Sequence, residues 1–144
     1  MTRRVMADRR GTSAIEFAII APVLAFLLLG IVDGWSFATS TLAARAAVEA
    51  ASAYFIGGGA DPATAQAIAL SSWTNAPSDA SVAVSESCQC NGSASGCGGI
   101  CAATSMPPAA YMQISATGTW TAPFAVQFLG SQVALSQTQV IRVR

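Results

Sequence analysis

The run FAIIAPVLAFLLLGIV at residues 17–32 carries no charge, and extending it back to Thr12 gives about twenty residues with Glu16 as the one charge. At about 1.5 Å rise per residue, a helix of that length just crosses a hydrocarbon core of roughly 30 Å. The competing home for such a helix is the centre of a soluble domain. A small domain rarely encloses a helix that is apolar on every face, so the span belongs in lipid. Pro22 lies inside it, lacks a backbone donor and crowds the carbonyl of Ala18, which predicts a kink. Membrane helices tolerate such kinks.

The charges agree with this reading. Charged residues make up only 10% of the chain and hydrophobic residues 53%. Arg3, Arg4, Arg9 and Arg10 precede the apolar run with only Asp8 against them, so residues 1–11 carry +3 and the remainder −3. A basic flank on one side of a span predicts a cytoplasmic N-terminus and export of the chain beyond the span. A mildly acidic remainder without a basic cluster argues against a nucleic-acid partner.

Beyond the span, residues 33–56 are rich in Ala and free of Pro, so the helix is expected to run on for about 45 residues in all, roughly 65 Å. Ile31, Trp35, Ala38 and Leu42 fall at helical spacing, and Val48, Ala51 and Phe55 extend a drifting stripe. Trp35 falls where the chain leaves the lipid, as in an aromatic belt, whereas Trp73 and Trp120 read as core. Arg45 and Glu49 are one turn apart, in the weaker orientation for an ion pair. Gly57-Gly58-Gly59 closes the helix. Asp61 then reads as an N-cap with Pro62 at the first helical position, and this second helix should end near Trp73. The pattern next changes to alternation at residues 81–87, 111–120 and 133–143, with Gly118 and Pro123 as interruptions. The expected fold class is α+β: a long N-terminal helix, half transmembrane and half exported, a short second helix, and an antiparallel sheet of three or four strands. The expected divisions are a basic leader at 1–11, the long helix at 12–56 with its span at about 12–33, and an exported domain at 57–144 holding a Cys-rich loop at 87–108.

The stretch RRGTSAIEFAIIAPVLAFLLLGIVDG resembles the N-terminus of TadE-like proteins, the minor pseudopilins of tight-adherence (Flp-type) pilus systems. The resemblance rests on Gly11 after a basic leader, Glu16 five residues later, Phe17-Ala18 beside it, Pro22 and the apolar run. It covers residues 9–35 most strongly. Cys88-Gln89-Cys90 and the closing VALSQTQVIRVR look like the exported part of the same family. The resemblance implies cleavage between Gly11 and Thr12 by prepilin peptidase, and an assembly role for Glu16, Phe17 and Pro22. It also implies other pilin and pseudopilin subunits as partners, and a bacterial inner-membrane location with a periplasmic domain that can enter an extracellular pilus. Thr12 departs from the major type IV pilins, which usually carry a methylated Phe at that position.

Other readings of the same residues stand beside these. Gly11 can simply open the helix. Ser36-Phe37-Ala38 is a small-x-small box after an apolar run, as at the end of an ordinary secretory signal, and would make the product a membrane-anchored or secreted binding module. Cys88, Cys90, Cys97 and Cys101 in an exported domain suggest two disulfides. A Cys88–Cys90 ring would be very tight, which leaves either Cys88–Cys101 with Cys90–Cys97 or the crossed pairing. A zinc site is the alternative, with spacing unlike the usual C-x₂₋₄-C pair and no His in the chain. The absence of His and Lys removes the common Ser–His, Cys–His and Ser–Lys pairings, and the Gly runs lack the Lys of a phosphate loop. The chain is therefore read as a non-enzyme without cofactor or small-molecule substrate.

Overall fold

The structure, a computed structural model, describes residues 10–124 and 131–143, with side chains from Ala14 onward. The leader residues Arg3, Arg4, Asp8 and Arg9 lie outside the described residues.

Helix α1 (Arg10–Ile56) is 47 residues long, about 70 Å at the standard rise, and runs through Pro22 as one element. It ends as the three glycines predict. The Gly59 N–H donates to the Tyr54 carbonyl at 2.9 Å, and the Gly58 N–H donates to the Phe55 carbonyl at 3.0 Å. Gly58 sits at φ +92°, which makes this a Schellman cap whose left-handed position suits glycine. A Cβ on Gly59 would overlap the Tyr54 ring, so a side chain there requires that ring to move.

Helix α2 (Pro62–Ser72) starts at Asp61, whose carboxylate accepts the backbone N–H groups of Ala63 and Thr64 at 3.2 and 2.9 Å. Trp73 is its C-cap.

Four strands come next: β1 (Ser81–Cys90), β2 (Ser93–Ser95), β3 (Ala109–Thr121) and β4 (Gln132–Arg142). They form one antiparallel sheet in the order β2-β1-β3-β4. The class is α+β, as expected. Two details differ. Asn91-Gly92 turns the chain with both residues at positive φ, 50° and 81°, and this tight hairpin extends β1 to Cys90 and creates β2. Gly118 does not interrupt its strand: it pairs with Leu135 inside β3, and a Cβ there would come within 3.1 Å of the Pro77 ring. Glycine lets the loop after α2 pack against the sheet.

Both helices cover one face of the sheet, α1 over β3 and β4 and α2 over β1. Ala110, Met112, Ile114, Ala116 and Trp120 of β3 point into this layer, with Ile114 fully buried. On the opposite face, hydroxyls pair across strands, Ser81 with Thr117 at 2.9 Å and Ser115 with Thr138 at 3.1 Å. Trp73 and Trp120 are both core residues.

The helical stripe needs correction. Val48, Ala51 and Phe55 are buried with Ala44 and Ala47, but Ile31, Trp35 and Leu42 are exposed. They are two stripes on different faces. Large side chains suggested continuity, whereas the face that meets the sheet is built mainly from alanine, which lets backbone and sheet approach closely.

Two carboxylates tie connections to the fold. The Thr119 N–H donates to Asp79 at 3.0 Å. Hydrogen bonds from Thr119 hold the Asp79 carboxyl below the ordinary carboxylate range, and those from Thr64 and Ala63 do the same for Asp61. A depressed folded-state pKa contributes stability above the unfolded value and loses it as pH falls through the folded one. The unfolding midpoint of the detergent-purified chain should therefore drop on acidification below the ordinary carboxylate range. The Asp61→Asn, Asp79→Asn double variant should show a smaller drop when monitored by near-UV circular dichroism.

Candidate functional site: an anchoring helix and a disulfide-bridged loop

Gly11 and Thr12 lie in the first turn of α1. Glu16 comes one helical turn after Thr12 and is exposed, as are Phe17 and Pro22. From Ala14 to Val32 the helix touches little of its own domain. Phe17, Ile20, Leu24, Leu27 and Leu28 are all at least half exposed, which suits contact with lipid or with other helices. By length and composition α1 can cross a membrane.

Where the apolar run ends, the domain takes hold of the helix. Asp33 is 1% exposed, and its Oδ1 accepts the Phe124 N–H at 3.1 Å. One turn on, Trp120 Nε1–H donates to Ser36 Oγ at 3.1 Å, and the Trp120 ring meets Phe37 edge-to-face at 5.3 Å. Further along, Arg45 Nε donates to Gln137 Oε1 at 3.1 Å, fixing α1 against β4. Sequence reasoning missed the Asp33 clasp. The available signal was a carboxylate directly after an apolar run, together with an indole whose N–H needs an acceptor when buried.

The cysteines form Cys88–Cys97 and Cys90–Cys101, with Cα atoms 5.1 and 5.5 Å apart. This is the crossed member of the two pairings left open by sequence. Cys88 and Cys90 are two apart on β1 and so share a face, and the turn at Asn91-Gly92 brings Cys97 back to the first of them. Cys101 is buried, and its N–H donates to the Met106 carbonyl at 2.8 Å. Glu86 lies near Cys88 and Cys97, but those two sulfurs are bonded to each other, so the trio offers no thiolate to a metal.

The fold thus defines a class: a small α+β head carried on one long helix whose free half is apolar all round. Residues 11–52 match the model of the TadE-like protein family, which confirms the resemblance in the N-terminal segment. The match covers most of α1, from its membrane-capable first half into the half packed on the head, and stops before α2 and the sheet. No curated protein and no solved structure is matched. The match in this segment points to an association with the tight-adherence pilus.

Proposed function

We infer that the chain is a minor pseudopilin. In this reading it acts in assembly of a tight-adherence (Flp-type) pilus for surface attachment, after prepilin peptidase cuts between Gly11 and Thr12. It is a single-pass inner-membrane protein with its N-terminus in the cytoplasm and its head in the periplasm. Its partners are the peptidase and other pilin and pseudopilin subunits.

The observation that carries this reading is the division of α1 into two faces. Ala44, Ala47, Val48, Ala51 and Phe55 serve the head, while a second face stays exposed from Ile31 within the span, through Trp35 at its edge, to Leu42 above it. A helix needing only an anchor has no use for an apolar face that runs on past the lipid to Leu42. A subunit that moves from lipid into a bundle of like helices does.

The competing reading, a binding module released or anchored through an ordinary signal, draws support from the bridged loop, on which Ile100 and Met106 are exposed. A cut after Ala38 would detach Asp33, Ser36 and Phe37, which hold Phe124 and Trp120. Mass spectrometry of the membrane-purified protein separates the readings. A mature chain starting at Thr12 is expected; one starting at Thr39, or retaining Met1, refutes pilin processing.

A further inference from the structure

The height at which the head grips α1 has a measurable meaning once α1 is placed in a bilayer. A span starting near Thr12 leaves the hydrocarbon about twenty residues later, close to Asp33. The headgroup layer on each side is roughly 5–8 Å thick, about three to five residues of helix. Residues 33–37 of α1 therefore lie within that layer. The head is already in contact there: Phe124 N–H with Asp33, and Trp120 with Ser36 and Phe37. No gap remains for a layer of water between the head and the bilayer. Sliding the span towards the C-terminus carries this contact deeper, and sliding it the other way pulls Arg9 and Arg10 of the uncut chain into hydrocarbon.

The side chains at this level suit the interface. Phe124 is 53% exposed although its backbone is pinned to Asp33, and Trp35 is 72% exposed. Positions 33 and 35 are about 200° apart around the helix, so Trp35 lies on the side away from Asp33 and the head. Asp33, the carboxylate that α1 carries at this depth, is covered by the head.

We propose that the base of the exported head is seated in the headgroup layer, with Phe124 inserted on one side of α1 and Trp35 on the other. The partner is the lipid interface of the membrane that α1 crosses, and the inference rests on the anchoring reading of α1. Two aromatic contacts on opposite sides of one helix fix the tilt and rotation of the head, which a single span leaves free.

The test uses the full chain in vesicles of phosphatidylcholine with a minority of phosphatidylglycerol. The phosphatidylcholine is brominated either near the headgroup end of its acyl chains or near their methyl end. Phe124→Trp is introduced into a Trp35→Phe parent, in which Trp73 and Trp120 report the background. Pro123→Trp, at the adjacent exposed position, replaces it if disulfide formation or near-UV dichroism shows that Phe124→Trp is misfolded. The added indole should lose emission to bromine near the headgroups, beyond the loss in the parent, and lose less to bromine near the methyl ends. An added indole quenched by aqueous iodide and not by bromine overturns the proposal. One quenched by neither is covered by protein and also overturns it. If the chain fails to float with vesicles at all, the anchoring reading itself falls; flotation without bromine quenching removes only the seat.

Discussion

Glu16→Val should give a chain that is cut at Gly11, inserted in the membrane and absent from any pilus. A charged residue at the bilayer centre costs about 2.5–3.5 kcal/mol on insertion. Glu16 lies near the N-terminal end of the span, where the cost is smaller and the helix N-terminus favours an anion. Insertion therefore does not need the carboxylate, and does not suffer from it. Cleavage creates a positive amine on Thr12, one turn from Glu16, and the exposed carboxylate can meet that amine in its own subunit or in a neighbour. Between neighbours, a pair of this kind fixes axial register, because a slip of one turn leaves both charges unpaired in an apolar bundle. Mature mass, membrane fraction and pilus formation measured in one strain decide the matter. Normal pili from Glu16→Val reject the role in register, and an uncut chain assigns Glu16 to peptidase recognition instead.

Loss of the bridges should be the largest stability effect in the head. The bonds close loops of 9 and 11 residues in a segment with few strong helix or strand formers. Each limits the unfolded chain by roughly 2–4 kcal/mol, a large fraction of the 5–15 kcal/mol typical of a whole domain. The crossed pairing also makes a sharper statement. Cys90→Ser combined with Cys101→Ser removes one bond and should be no worse than Cys90→Ser alone. Cys90→Ser combined with Cys97→Ser removes both bonds and should lower abundance further under oxidising export. The reverse ranking establishes the nested pairing, and equal abundance of all variants with the parent shows that the bonds contribute nothing to the fold.

Local chemistry was legible wherever one residue type has one structural use. Gly57-Gly58-Gly59 announced the helix end, Asp61-Pro62 announced the next start, and alternation announced the main strands. The Asn91-Gly92 hairpin was equally announced but obscured by the surrounding cysteines, so the loop expected from Ser87 onward begins as a strand. Other features depend on a partner distant in sequence. Gly118 reads as a break until Pro77 is seen against it. The alanine face of α1 is invisible beside its large residues until the sheet shows which face is covered. Asp33 reads as an ordinary polar flank, and only the return of the chain at Phe124 reveals it as a clasp. In the N-terminal segment, Gly11, Glu16 and Pro22 carry the family resemblance because their relation is local, and the match over residues 11–52 agrees with it, whereas the choice between two disulfide pairings required the path of the loop.

The grip between the head and α1 also sets how the subunit can flex. From Asp33 to Phe55 the helix is clamped to the sheet at Asp33, Ser36, Phe37, Arg45 and the buried alanines, so that stretch works as a stiff handle about 35 Å long. Below it, the bare stem has one place where the backbone ladder lacks a bond, at Pro22. Bending of the subunit is concentrated there, some ten residues beneath the clamp. A sideways load on the head would then be delivered as a swing of the stem about Pro22, with the head's own packing undisturbed.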